Sequence, residues 1–420
     1  MTEETGPLRL QVARQVAHWR AATVGLQDPA NFASAAAWKS LESYLDVSLR
    51  KHLAEAADRL QREADVLAAE LRAAFSAAQL EGVRKQVIRF RQRYLQVETA
   101  FDFFGDAVNT RTSPRVAGLL SACDELATMS MKRVLDPLGR PSPPILTYVD
   151  KGLGASILRA GLRLWDGGSV SPAAAVKITR QNLYRPTALI HESGHQVAHI
   201  LGWNEELAAL LQGELRGAPD GVATTWAGWS SEIAADTHAF AHTGYGSVAA
   251  LHDVVSGGST VFRFDPTDPH PVAYLRVLLG VSMAIRCFGS GPWDDLGRAW
   301  VEAYPLEAAP PQTRALVRAS LPHLPRIAEL CLRAPMRAFG GKPLTALVDP
   351  AQVRPDALAR LTQEAGASLT TSSHWVRKEG LRLLALTSYR VATEPERAAE
   401  IARQSDDWML RLSTPMAVAA

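Results

Sequence analysis

Ala188-Leu189-Ile190-His191-Glu192-Ser193-Gly194-His195-Gln196-Val197-Ala198-His199-Ile200-Leu201 places two histidines and a glutamate inside an otherwise apolar run. Pro186 suits a helix start and Gly202 a helix stop, so the run predicts a largely buried helix. His191 and His195 then project from one face, a turn apart, and two imidazoles so placed can reach one tetrahedral zinc at about 2.0–2.1 Å. Glu192 is rotated by about 100° from that pair. It cannot complete the ligand set, but it can reach a water held there and act as general base. Buried histidines and a buried glutamate need partners, and a metal ion supplies them.

Seven of the eleven histidines fall between positions 191 and 270, which says where further ligands should be sought. A catalytic zinc takes three protein ligands and keeps a fourth position open. Trp229-Ser230-Ser231-Glu232-Ile233-Ala234-Ala235-Asp236 offers the third. Glu232 and Asp236 share a helix face, so Glu232 can bind metal while Asp236 orients a ligand histidine through its second nitrogen. His199 lies one turn too far along the first helix. His238 and His242 lie well around the second helix from Glu232 and read as packed or surface residues. His252 has no supporting context.

These residues, with Asp268-Pro269-His270-Pro271 and Arg276 downstream, resemble a known group. HExxH at His191, ExxAD at Glu232 and HPxxxxR at His270 are together similar to the gluzincin zinc metallopeptidases, in particular the HtpX-like peptidases and the related minigluzincins. The resemblance covers about residues 186–280. It implies zinc bound by His191, His195 and Glu232, with Glu192 activating water. It further implies that His270 hydrogen-bonds the developing oxyanion and that Arg276 braces the site through Asp236. Membrane members of that group carry transmembrane helices. This chain has no apolar run long enough, since its best candidate, Val272 to Phe288, is interrupted by Arg276 and Arg286.

The expected fold is α+β and mostly helical, a zincin-like catalytic core at 141–305 between helical regions at 1–140 and 306–420. Before the first motif, Ile145 to Val149, Leu158 to Trp165 and Ala174 to Thr179 read as three short strands of a small antiparallel sheet, with a turn at Asp166-Gly167-Gly168. Ala174 to Thr179 is the expected edge strand, open to a substrate backbone by strand addition. Upstream, Leu41, Leu45, Leu49, Leu53, Ala56, Leu60, Ala64, Leu67, Leu71 and Phe75 draw one helical stripe. A second runs through Val83, Val87, Phe90, Tyr94, Val97, Phe101 and Phe104, after a break near Ala77 to Gly82. The steps do not hold a strict heptad, so a packed helical hairpin is expected rather than a coiled coil, although the stripe could also serve self-association or a protein partner. Pro141-Ser142-Pro143-Pro144 and Pro310-Pro311 read as boundaries.

Composition narrows the function. Of 420 residues, 45 Lys and Arg nearly balance 43 Asp and Glu, and the net charge of +2 makes no case for nucleic acid or an anionic membrane surface. Cys123, Cys287 and Cys331 are few and scattered, which argues against a disulfide framework or a thiolate metal site. The first residues lack the basic and apolar pattern of a signal peptide. The expectation is a cytoplasmic zinc metallopeptidase acting on peptides or proteins, without membrane insertion. The same residues would also suit a zinc hydrolase of a non-peptide amide or ester, or a scaffold that keeps the site without turnover. An intact Glu192 speaks against the scaffold.

Overall fold

The computed structural model describes residues 6–45, 48–150, 155–160, 173–219 and 221–414. The chain folds as two compact units: Met1–Ser113 with Leu158–Ala175, and Pro114–Ile157 with Val176–Ala420.

The first unit is helical. Its elements are α1 (Gly6–Gln27), α2 (Ala35–Leu45), α3 (Leu49–Ala73) and α4 (Ala77–Thr110). α1 packs on both α3 and α4, which also pack on each other, so the expected hairpin is part of a three-helix bundle. The stripes supply its core: Leu53, Ala56, Leu60 and Ala64 on α3, and Val87, Phe90, Val97, Phe101 and Phe104 on α4, are all buried. Each such aromatic contributes roughly 1.5–3 kcal/mol by leaving water. The break lies at Ala74–Ser76 rather than Ala77–Gly82. Ser76 and Gln79 form a capping box, with Gln79 N donating to Ser76 Oγ (3.2 Å) and Ser76 N to Gln79 Oε1 (3.0 Å). That box starts α4 and leaves Phe75, expected in the stripe, exposed between the helices.

The second unit holds α5 (Pro114–Leu135), β1 (Ile145–Val149), the larger part of β2 (Ser156–Leu158) and of β3 (Ala174–Ile178), and α6 (Thr187–Leu201), in that order, while Leu158, Ala174 and Ala175 fall in the first unit. The sheet order is β1-β3-β2, which corrects two expectations. β3 is central, not an edge. The sheet is also mixed rather than antiparallel. Asp150 N donates to Ile178 O at 3.1 Å, which sets the ends of β1 and β3 side by side and running the same way. The twenty-odd residues between β1 and β3 are long enough for a parallel return. Both strands are buried on nearly every residue, the pattern of a strand covered on both faces. Of the strand expected over Leu158 to Trp165, positions 161–165 lie outside the described residues, as does Asp166-Gly167-Gly168. Asp124 on α5 takes the Thr147 N–H of β1 at 2.6 Å, tying sheet to helix.

α6 runs into α7 (Trp203–Glu214) through Gly202, whose φ of 66° ends the helix. α8 (Val222–Gly228), α9 (Ser230–Thr243) and α10 (Tyr245–Val255) follow, then α11 (Ala273–Phe288), α12 (Pro292–Ala303), α13 (Pro311–Ser320) and α14 (Leu324–Arg333). The chain closes with α15 (Pro355–Ala365), α16 (Ser368–Thr371), α17 (Ser373–Thr393) and α18 (Ala398–Leu412). α6 lies against α9, α11 against α14, and α17 against α9 and α10, so the C-terminal helices belong to the body that carries both sequence motifs. Among the described residues no helix is long and apolar enough to cross a membrane.

Candidate metal centre

Close approach of α6 and α9 builds the site. A Cβ on Gly194 would fall 2.8 Å from Ala235 Cα and 2.9 Å from His238 Cβ, so glycine at the centre of the motif lets the helices touch backbone to side chain. His191 and His195 on α6 then face Glu232 on α9. His191 Nε2 and His195 Nε2 are 3.2 Å apart, His191 Nε2 lies 3.4 Å from Glu232 Oε2, and His195 Nε2 lies 3.2 Å from Glu232 Oε1. Among the described residues these three form the group close enough to share one ion.

The donor set fits a divalent cation on three counts. Around a tetrahedral zinc with bonds of about 2.0–2.1 Å, ligand atoms sit roughly 3.3–3.4 Å apart, close to the distances found. Each ring has an oxygen near its other nitrogen: Asp236 Oδ1 lies 2.8 Å from His191 Nδ1, an ion-pair contact without hydrogen-bond alignment, and Ser231 Oγ lies 3.2 Å from His195 Nδ1. Protons held there leave both Nε2 lone pairs facing each other, an arrangement that only a cation or a proton between them relieves. Finally, the carboxyls of Glu192, Glu232 and Asp236 outnumber Arg276 in this buried site, which favours a cation among them. Glu232 Oε2 is shielded from solvent and accepts no well-aligned hydrogen bond.

Arg276, on the first turns of α11, holds the acidic side of the site. Its Nε lies 2.5 Å and its Nη2 2.8 Å from the two Asp236 oxygens, and Nη2 is 3.1 Å from Glu232 Oε2. Such a forked pair fixes the carboxylate in position. Burial would raise the Asp236 carboxyl, but Arg276 and His191 hold it down at about 2. Glu232 would also be raised by burial, and contacts with His191, His195 and Arg276 hold it far below the carboxylate range. Burial would lower His191, yet Asp236 and Glu232 carry it up to about 10. Glu192 is 6% exposed, and burial pushes its carboxyl up although His191 and His195 draw it down.

His270 sits in the loop before α11, half in solvent. Its Nε2 is 3.7 Å from Glu232 Oε1, and its Nδ1 lies 2.6 Å from Asp268 Oδ1. Asp268 also accepts the His270 backbone N–H at 3.0 Å, so an i, i+2 aspartate turn aims the ring. Sequence reasoning assigned no role to Asp268 or Ser231. The signals were present, an Asx two residues before His270 and a hydroxyl directly before Glu232, but both are common and neither selects a ring nitrogen without coordinates. His199 is exposed on α6. His238 and His242 are fully buried behind the site with ring centroids 4.3 Å apart, and burial holds both neutral, His242 at about 4. His252 faces Asp253 and Trp300 instead.

His191, Glu192, Glu232, Asp236, His270 and Arg276 line one end of a cavity of about 360 Å³ that continues between α9, α10 and α11. No family model, no characterised protein and no solved structure matches this chain.

Proposed function

We propose that this chain is a zinc-dependent peptidase of gluzincin type, with a zincin-like core built on α6, α9 and α11. The observation that carries the reading is the convergence of His191, His195 and Glu232 at tetrahedral ligand spacing beside the buried carboxyl of Glu192. His191, His195 and Glu232 would hold the metal, and Asp236 and Ser231 orient the two rings. When bound, zinc supplies Lewis acidity toward a carbonyl and toward water.

The chain's own residues do the rest. Glu192 accepts the proton of the attacking water and returns it to the leaving amine, a task helped by burial that raises its carboxyl. His270 is placed to hydrogen-bond the oxyanion as it forms. Arg276 touches no reacting atom and acts as a positioning residue through Asp236 and Glu232. Ala155, directly before β2, lines the cavity, and β2 is an edge of the sheet among the described residues. Strand addition by an extended substrate, if it occurs, is thus assigned to β2 in place of β3. The scattered cysteines, all free, suit the cytoplasm.

The test is metal content and peptide hydrolysis in wild type and Glu192→Gln. Equal zinc with turnover lost by at least about 10²-fold in the variant is expected. Bound zinc with no turnover of any peptide by wild type would leave a scaffold or a non-peptide hydrolase.

A further inference from the structure

The cavity beside the metal site has two unlike ends. At one end stand the ionisable side chains already described. The other end, between α9, α10 and α11, is lined by Phe240, Val248, Leu251, Leu279 and Met283, and among the described residues none that lines it is charged. The cation at the junction, Arg276, is already committed to Asp236 and Glu232. A charged substrate group entering this arm would lose water and gain no partner, whereas an apolar group gains about fourfold in affinity for each methylene it buries. Size sets a second limit. A cavity of about 150 Å³ takes a benzene, so about 360 Å³ leaves room for one large side chain beyond the space used by a scissile amide.

Gly280 on α11 lies against Val248 on α10. A Cβ there would lie 2.9 Å and 3.1 Å from the two γ-methyls of Val248, and both residues line the cavity. Glycine in mid-helix gives up local stability relative to alanine, and here it lets α10 and α11 approach with no side chain projecting into the arm.

Resting on the peptidase reading above, we propose that this arm receives one large uncharged side chain of the substrate next to the scissile bond, and that Gly280 with Val248 sets its size limit. The probes are the hydroxamates of glycine, leucine, phenylalanine, aspartate and lysine, and octanohydroxamate, titrated calorimetrically into the zinc-loaded full chain. Leucine and phenylalanine compounds are expected to bind at least tenfold more tightly than the glycine, aspartate and lysine compounds. Gly280→Ala should weaken the phenylalanine compound about tenfold while sparing the glycine compound, and Met283→Ala should shift preference the opposite way, toward larger groups. A merely structural role would move all the ligands together.

Equal affinity across the series, or preference for a charged member, overturns the proposal. Octanohydroxamate binding above every amino-acid compound overturns the assignment to a peptide side chain. The corresponding plain amides, titrated into metal-free chain, separate the two readings. If their leucine and phenylalanine ranking persists although no zinc binds or no peptide is cut, the pocket stands and the peptidase reading falls. If the ranking is absent there, the pocket assignment falls by itself.

Discussion

Asp236 meets Arg276 through both oxygens and lies 2.8 Å from His191 Nδ1, so a single carboxylate faces both a candidate ligand ring and the buried guanidinium beside it. Removing it should be felt mainly by the metal. Asp236→Ala is expected to weaken zinc binding about 10–100-fold, read by competition with a chelating indicator; unchanged affinity would deny the orienting role. The same contacts give the metal-free chain a pH dependence of fixed sign. His191 is raised from its ordinary value to about 10, so its contribution is complete below about 6.5 and is lost as pH rises through 10. Asp236 is lowered to about 2, so its contribution is present above about 3.9 and is lost as pH falls toward 2. Urea unfolding of metal-free protein should therefore show stability declining from about pH 6.5 to 10, and Asp236→Asn should flatten that alkaline decline. A decline of equal size in the variant would mean that another group titrates.

Between helices, the decisive contact is Gly194 against Ala235. Gly194→Ala places a methyl under 3.0 Å from Ala235 Cα and His238 Cβ, atoms fixed by the α9 backbone that cannot swing away as a side-chain tip would. The expected cost is about 1–3 kcal/mol of stability, accompanied by loss of zinc affinity because the ligands sit on both helices. Thermal melts with and without zinc check both, and a variant as stable and as tight as wild type would show that α6 and α9 can part freely. Much of this element was legible beforehand. Spacing alone put His191 and His195 on one face, Pro186 and Gly202 bounded α6 to within a residue, and Glu232 with Asp236 on one face pointed to the partner helix. The sheet was less legible. Alternation in short strands suggested hairpins, but β1 and β3 are covered on both faces and pair in parallel, which depends on packing that no local pattern reports. The start of α4 could have been read from Ser76 and Gln79, and was missed because apolar spacing was followed across the cap.

At the level of the chain, the division at Ser113 and Pro114 groups α5 and the C-terminal helices with the candidate metal site, where the proline runs had suggested boundaries near 141 and 310. Proline runs mark where helices cannot continue, and Pro311 does begin α13, but a pause in secondary structure is not a gap in packing. The apolar arm of the cavity was not legible either, since Phe240, Val248, Leu279 and Met283 lie on three different helices that no local pattern brings together. Metal binding should be linked to the stability of this body. At free zinc about 100 times Kd, the native state gains about 2.7 kcal/mol, so chelation should lower the melting temperature by several degrees, and re-addition of zinc should restore it. An unshifted melt would mean that no ion binds the folded chain preferentially. The central claim, one ion gripped by α6 and α9 together, is tested most directly by anomalous diffraction at the zinc edge from crystals of the full chain grown with zinc. The account predicts one peak within about 2.0–2.2 Å of His191 Nε2, His195 Nε2 and a Glu232 oxygen. A peak bound elsewhere, or none between those three side chains, would contradict it.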